Sequence, residues 1–202
     1  MKSCRLSPFF LSLRVPRSQS HEKFLNDIHG SLEGDSQGGS AINGVTIRRE
    51  VRVPLRRFSD YFQGVEKLDA VRALFGDEAE KVISNLKIEF HTRRGYMGVS
   101  NDDGHIIISA PYMRSGDERD IYLDIIHELT HVKQHLEGKE LFDDRFEYVE
   151  RPTEIEAYGN AVAEGRRLGM TDEELIEYLR MERMTDDSLR KLVSALHLNF
   201  KG

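Results

Sequence analysis

The 202-residue chain contains one cysteine, no tryptophan and no long apolar run. The single thiol, Cys4, cannot form an internal disulfide, and zinc sites made of clustered thiolates are excluded. A membrane-spanning helix needs roughly 18 consecutive apolar residues, so we expect no membrane partner. These absences favour a cytoplasmic protein in which any metal site uses imidazole and carboxylate ligands. Eight histidines and 35 acidic residues supply them.

Charge and apolar content limit the class of protein further. The net charge of −6 argues against a general nucleic-acid binder. Five arginines lie between Arg48 and Arg57. We interpret them as the solvated face of a strand, with an acidic partner such as nucleic acid as the alternative. Apolar residues make up 39% of the chain, which is enough for the packed core of one domain with tails.

Two N-terminal segments lack regular apolar spacing. Residues 1–20 are basic and free of acids, as in a transit peptide, but we favour a loosely ordered terminus. Residues 30–44 are rich in glycine and serine and predict a flexible linker. We therefore assign residues 1–44 to a flexible N-terminal segment and linker, and residues 45–202 to one folded domain.

Apolar periodicity predicts strands in the first part of this domain and helices in the second. Alternation indicates strands over 45–53 and 86–90, and a hairpin that joins 96–99 to 106–109. Helical spacing covers 65–75, 77–85, 116–136 and 152–168, with two further helices that begin at Thr171 and at Thr185 or Asp186. Because strands and helices are segregated along the chain, the fold class is α+β.

The sequence His127-Glu128-Leu129-Thr130-His131 places the motif H-E-x-x-H inside the helix over 116–136. Histidines at i and i+4 lie one turn apart on the same face, so both imidazoles can bind one ion. Glu128 lies about 100° around the helix, where its carboxylate can reach a water on that ion without binding the ion. We expect His127 and His131 to be metal ligands and Glu128 to be the general base. The alternative is a surface helix with two solvated histidines.

A third protein ligand is expected on the helix over 152–168, which carries Glu154 and Glu156. The two glutamates differ by about 200° around the helix, so only one of them can face the ion. The apolar face of this helix includes Tyr158 and Ala161, and Glu154 lies between them on the helical wheel. We therefore select Glu154 as the third ligand.

The motif HELTH, followed 23 residues later by Glu154, resembles the gluzincin group of zinc metallopeptidases, in particular small microbial ones. The resemblance covers residues 105–165 and implies a zincin-like fold, in which a small twisted sheet packs on an HExxH helix and a glutamate-bearing helix, with further helices at the C-terminus. In this group the second helix often reads E-x-x-A-D. The present chain matches the glutamate and the alanine, while Tyr158 replaces the aspartate that usually supports a ligand histidine.

Other polar residues near the motif are candidates for supporting roles. Tyr148 and Tyr158 could donate a hydrogen bond to a developing oxyanion, with a place in the core or at the rim as the alternative. Asp124, one turn before His127, could orient its imidazole or be exposed. His135, one turn beyond the motif, is expected to be solvated, with support of the site from outside the ligands as the alternative.

Together these residues predict a zinc metallopeptidase that uses Zn²⁺ to cleave a peptide or protein substrate. The alternative is a regulatory or interaction module that keeps zinc on a zincin scaffold with little or no turnover. Glu128 favours the enzyme, because a purely structural metal site needs no general base. The missing aspartate at position 158 favours the module slightly.

Overall fold

The computed structural model of the protein describes residues 40–47, 49, 55–181 and 184–199, which form two small β-sheets and seven α-helices. The strands are β1 (Ser40–Ile42), β2 (Val45–Ile47), β3 (Arg56–Arg57), β4 (Phe62–Gln63), β5 (Lys87–His91), β6 (Met97–Val99) and β7 (Ile106–Ser109). The α-helices are α1 (Asp69–Phe75), α2 (Ala79–Asn85), α3 (Ala110–Ser115), α4 (Glu118–Leu136), α5 (Pro152–Arg167), α6 (Asp172–Leu179) and α7 (Asp186–Ala195). Short 3₁₀ helices cover Phe58–Asp60, Val65–Lys67, Gly76–Glu78 and Tyr148–Glu150.

The larger sheet is mixed and has the strand order β3-β5-β7-β6. Its two central strands, β5 and β7, run parallel, while β3 and β6 pair antiparallel at the edges. Strand β5 alternates buried Ile88 and Phe90 with exposed Lys87 and Glu89, whereas all four residues of β7 are buried. The smaller sheet, β1-β2-β4, is antiparallel. This architecture is the predicted α+β class.

Helix α4 lies in the interior of the domain. Its N-cap is Asp117, whose side chain accepts hydrogen bonds from the backbone N–H groups of Arg119 at 2.9 Å and Asp120 at 3.3 Å. Every residue from Ile121 to Val132 is buried, including the polar ones. A helix that is buried all around has to pair its polar side chains within the protein.

Helix α5 makes the most extensive contact with α4. It begins at Pro152, which needs no hydrogen-bonded N–H in the first turn, and Gly169 follows its last turn with a φ of +83°. The predicted helices over 116–136 and 152–168 are confirmed as α4 and α5. None of the helices in the described residues combines the length and the apolar character needed to cross a lipid bilayer.

The predicted linker over 30–44 is wrong at its C-terminal end. Residues 40–42 form β1, which pairs with β2 across a turn at Asn43 and Gly44. Both turn residues have positive φ values, 51° and 77°, and Asn-Gly is the sequence that such a two-residue hairpin turn favours. Residues 1–39 lie outside the described part of the chain, as do positions 48 and 50–53 of the strand predicted over 45–53.

One predicted helix needs correction, and one observed helix was not predicted. The helix predicted over 65–75 is divided into a 3₁₀ turn and α1, because Leu68 adopts an extended backbone with ψ of 136°. Helix α3 was not predicted. Ser109 caps it by accepting a hydrogen bond from the backbone N–H of Tyr112, and Pro111 occupies its first turn, where proline is tolerated.

Candidate metal centre

The packing of α4 against α5 brings two histidines and a glutamate together in the interior. The Nε2 atoms of His127 and His131 are 3.0 Å apart, and Oε2 of Glu154 lies 3.4 Å from each. All three side chains are buried, with 4–6% of each residue exposed. The predicted ligand atoms thus form a nearly equilateral triangle, and the group could hold a metal ion.

The size of this triangle can be compared with the geometry of bound metal. With bonds of about 2.0–2.1 Å and tetrahedral angles, the ligand atoms around zinc lie about 3.3–3.4 Å from one another. The three observed separations are 3.0, 3.4 and 3.4 Å. Little movement would therefore be needed for all three atoms to reach one ion, and three protein ligands leave a fourth position for water or substrate.

Burial and mutual contact shift the acid–base properties of these groups. The pKa of His127 is lowered, chiefly by burial. Burial alone would lower the pKa of His131, but the carboxylate of Glu154 outweighs it and raises the pKa to about 9. Burial alone would also raise the pKa of Glu154, but the two histidines hold it well below its ordinary value of 4.5. A proton on His131 thus occupies the lone pair that a metal ion would use.

Several buried polar atoms at this place have no hydrogen-bond partner among the described residues. They are Oε2 of Glu154, Oε2 of Glu128 and Nδ1 of His127. Unsatisfied buried polar atoms are rare, and several in one place call for a specific explanation such as an ion site. The carboxyl group of Glu128 is close enough to interact with His131 and Glu154, and burial raises its pKa to about 8.

Glu156 takes no part in the triangle. Its Oε2 atom accepts hydrogen bonds from Nζ of Lys139 at 2.9 Å and from Nε2 of Gln134 at 3.0 Å. The side chain of Glu156 is 37% exposed, whereas that of Glu154 is 6% exposed. The two glutamates therefore point to different sides of α5, and the one chosen from the helical wheel faces the histidines.

Gln134 is a residue of the site that sequence reasoning missed. It is fully buried, and its Oε1 atom lies 2.7 Å from Nδ1 of His131. Its Nε2 atom also donates to the backbone carbonyl of Thr153 at 3.0 Å. The spacing i, i+3 from His131 was the available signal, because residues three apart share a helix face.

The tyrosines lie beside the triangle, on the α5 side. The ring of Tyr158 packs on that of His127 with centroids 4.2 Å apart, and its hydroxyl lies 3.0 Å from the hydroxyl of Tyr148. Burial raises the pKa of Tyr148 well above 10, and the carboxylate of Glu154 adds to the shift. Tyr148 therefore keeps its proton and remains a hydrogen-bond donor. Tyr158 contacts His127 through its ring, which is a different contact from the hydrogen bond that an aspartate would accept.

Comparison of the chain with protein-family models, curated proteins and solved structures finds no match. The chemistry of the centre therefore has to follow from its own side chains. Two imidazole nitrogens and one carboxylate oxygen within 3.4 Å of one another are a donor set that could hold a metal ion.

The remaining candidates have other contacts. Asp124 is buried and accepts hydrogen bonds from the hydroxyls of Tyr112 at 2.7 Å and Tyr178 at 3.0 Å. It thereby ties α3 and α6 to α4, one turn before His127. His135 is partly buried, and its ring lies against Gly104 in the turn between β6 and β7. An added Cβ on Gly104 would come within 2.6 Å of this ring.

Of the five arginines over 48–57, the structure describes Arg49, Arg56 and Arg57, and Arg48 and Arg52 lie outside the described residues. Arg56 and Arg57 are exposed on β3, as expected for a solvated strand face. Arg49 instead donates to the backbone carbonyls of Met113 and Gly116 and pairs with Glu118 at 3.2 Å. This arginine therefore anchors its segment to the α3–α4 connection.

Proposed function

We propose that the protein is a zinc-dependent hydrolase, and specifically a metallopeptidase with a zincin-like arrangement of α4, α5 and the mixed sheet. His127, His131 and Glu154 are its zinc ligands. The observation that carries the proposal is the buried triangle of ligand atoms, whose edges agree with tetrahedral coordination. The unsatisfied oxygen atoms of Glu154 and Glu128 support it, because an ion site accounts for both.

Zinc is the metal that this donor set suits best. Two imidazole nitrogens and one carboxylate oxygen are common among three-ligand zinc sites in hydrolases, while magnesium and calcium favour oxygen ligands. A zinc ion held there would act as a Lewis acid and would lower the pKa of a water molecule toward neutrality. The protein residues then have to position that water, take its proton and stabilise the charge that develops on the substrate.

Glu128 takes the proton. It directly follows a ligand histidine, its side chain is buried beside the triangle, and its Oε2 atom has no partner in the described structure. The pKa of about 8 belongs to the site without metal, and the charge of a bound zinc ion would lower it. The carboxylate would then accept a proton from the attacking water and deliver it to the leaving amine of a peptide. Tyr148 is the candidate donor to the developing oxyanion, because burial keeps its hydroxyl protonated. Since Tyr158 donates to the sulfur of Met181, the Tyr148 hydroxyl donates to Tyr158 in this structure and would turn to the substrate on binding.

One observation favours a second candidate function, a zinc-binding interaction module with little or no turnover. The Nδ1 atom of His127 has no hydrogen-bond partner among the described residues. Ligand histidines of catalytic zinc sites normally donate from this nitrogen to an orienting group, and loss of that group reduces activity. The two candidates share the metal ligands and differ in the role of Glu128.

The test compares zinc content and hydrolysis in the same preparations. The zinc-loaded protein should hold one zinc per chain and hydrolyse a denatured protein such as casein, and a chelator should abolish the activity. Glu128→Gln should keep the zinc and lose at least about a hundredfold in rate. Glu80→Gln, at an exposed position of α2, is the matched control and should retain full activity. Zinc binding without hydrolysis would favour the interaction module, and failure to bind zinc would overturn both functions.

A further inference from the structure

A line of hydrogen bonds connects the surface of the protein to His131. Lys139 Nζ donates to Glu156, Gln134 Nε2 donates to the same Glu156 oxygen, and Gln134 Oε1 contacts Nδ1 of His131. The Thr153 carbonyl accepts a second hydrogen bond from Gln134 Nε2. The first two side chains are partly exposed, whereas Gln134 and His131 are buried.

The orientation of the Gln134 amide follows from the chemistry of its neighbours. A backbone carbonyl and a carboxylate can only accept hydrogen bonds, and both lie 3.0 Å from the same end of the amide. That end must be the NH₂ group, because the reverse orientation would place three oxygen atoms against one another. The carbonyl oxygen of Gln134 therefore faces His131.

The amide orientation in turn decides where His131 carries its hydrogen. An oxygen at 2.7 Å from Nδ1 can only accept, so Nδ1 must be the protonated nitrogen. In the neutral imidazole the Nε2 atom then bears the lone pair, and it faces His127 and Glu154. Metal ions bind a histidine through the nitrogen that lacks a hydrogen.

We propose that Gln134, held by Glu156 and the Thr153 carbonyl, is a positioning residue that fixes the Nδ1–H tautomer of His131 and so presents Nε2 to the metal. The significance for metal binding rests on the proposed function; the tautomer itself does not. Glu156, which the sequence offered as an alternative ligand, supports His131 through its hydrogen bond with Gln134. Lys139 completes the line by pairing with Glu156 at 2.9 Å.

A matched variant separates this role from ordinary helix packing. Asn160 also joins α5 to α4, through a hydrogen bond of 3.1 Å to the hydroxyl of Thr130. Among the described residues it forms no hydrogen bond with His127, His131 or Glu154. Gln134→Met and Asn160→Leu each replace an amide by an apolar side chain of similar shape. Both should lower the melting temperature, but only Gln134→Met should weaken zinc binding, by about 10–100-fold in a competitive chelator titration.

Position 156 allows a comparison of two variants that lose the same charge. Glu156→Gln and Glu156→Met remove the same charge, but only Gln keeps an oxygen that can accept from Gln134. We expect Glu156→Gln to bind zinc within a few-fold of the wild type, and Glu156→Met to bind more weakly than Glu156→Gln by up to about tenfold. Because position 156 is partly exposed, both variants should fold even if Gln134→Met does not.

The tautomer is measured directly by ¹H–¹⁵N NMR of histidine side chains in the metal-free protein, in a pH titration carried to the alkaline limit at which the His131 signals no longer shift. The wild type should show hydrogen on Nδ1 of His131, and Gln134→Met should show a mixture of tautomers. An unchanged tautomer in Gln134→Met, or an equal loss of zinc affinity in Asn160→Leu, would overturn the positioning role. Absence of zinc binding by a wild type that shows the Nδ1–H tautomer would count against the proposed function alone.

Discussion

Positions 154 and 156 carry the same side chain two residues apart on α5, and their surroundings give them different tasks. The carboxylate of Glu154 is buried, with its Oε2 atom 3.4 Å from the Nε2 atoms of His127 and His131. The carboxylate of Glu156 is partly exposed and pairs with an ammonium group. Helix geometry alone accounts for this division, because a step of two residues turns the side chain by about 200°.

The first prediction follows from that contrast. Glu154→Gln should lower zinc affinity by about a hundredfold or more, because it removes a metal–oxygen bond together with the charge that balances the ion. Glu156→Gln should lower it only a few-fold. A competitive chelator titration of both variants and the wild type measures the difference. If Glu156→Gln is the more damaging change, the triangle in the structure is not the metal site.

At this scale, the three residues of the triangle could be predicted from the sequence, and the side chains that contact them could not. The spacing of His127, His131 and Glu154 depends on helix geometry, which is local. The role of Gln134 depends on a carbonyl and a carboxylate of another helix, so its partners are set only by how α4 packs on α5. The contact of Tyr158 with His127 depends on that packing in the same way.

Among the elements, the two glycines of α5 differ in the space around them. An added Cβ on Gly159 would meet only Leu196, at 3.9 Å, which is ordinary contact. An added Cβ on Gly165 would lie 2.6 Å from Leu175 and 3.3 Å from the sulfur of Met170. The second glycine is therefore required for close packing of α5 against α6, while the first serves no such purpose.

The second prediction uses this pair. Gly159→Ala should raise the free energy of unfolding by about 0.5–1 kcal/mol, because alanine restricts the unfolded chain and favours the helix. Gly165→Ala should lower it, because Leu175 would have to move within a packed core. Urea unfolding of both variants measures the two changes. A loss of stability in Gly159→Ala would show that the backbone there is not free to accept a side chain.

Elements with strong periodicity were predictable, and those defined by short local signals were not. Helices α4 and α5 have long stripes and capping residues, so their positions follow from the sequence. Strand β1 has three residues, and only the turn at Asn43-Gly44 marks it. Helix α3 has six residues with a proline in its first turn, which reads as a helix breaker unless the cap at Ser109 is noticed.

Across the whole molecule, a polar cluster around the buried carboxylate of Glu164 joins the smaller sheet to the two helices of the candidate metal centre. Tyr122 of α4 donates a hydrogen bond to Glu164 of α5, and Asn43 in the β1–β2 turn donates to the Tyr122 hydroxyl at 3.3 Å. Arg167 donates two hydrogen bonds to Glu164, at 2.6 and 2.8 Å. Since Glu164 is 3% exposed, its charge is held by these partners rather than by bulk water.

The cluster makes stability depend on pH. Burial alone would raise the pKa of Glu164, but the hydrogen bonds from Arg167 and Tyr122 outweigh it and lower the pKa below 4.5. A carboxyl group whose pKa is lower in the folded than in the unfolded state stabilises the fold at pH values above its unfolded pKa. That stabilisation is lost as the pH falls from about 4.5 through the lower, folded-state pKa.

The third prediction is that Glu164→Gln lowers the free energy of unfolding at pH 7 by about 1–3 kcal/mol, because Arg167 and Tyr122 lose an ionised partner in the interior. The difference from the wild type should shrink on acidification below pH 4.5, since protonation removes the same charge from the wild type. Urea unfolding between about pH 7 and pH 3 measures both effects. Glu80→Gln, at an exposed position of α2, makes the same change of charge without buried partners and should leave the curve nearly unchanged. A difference in the free energy of unfolding that stays constant over this range would contradict the prediction. It would mean that the pKa of Glu164 is the same in the folded and unfolded chains, so that the charge of this carboxylate does not stabilise the contact between the two helices and the hairpin.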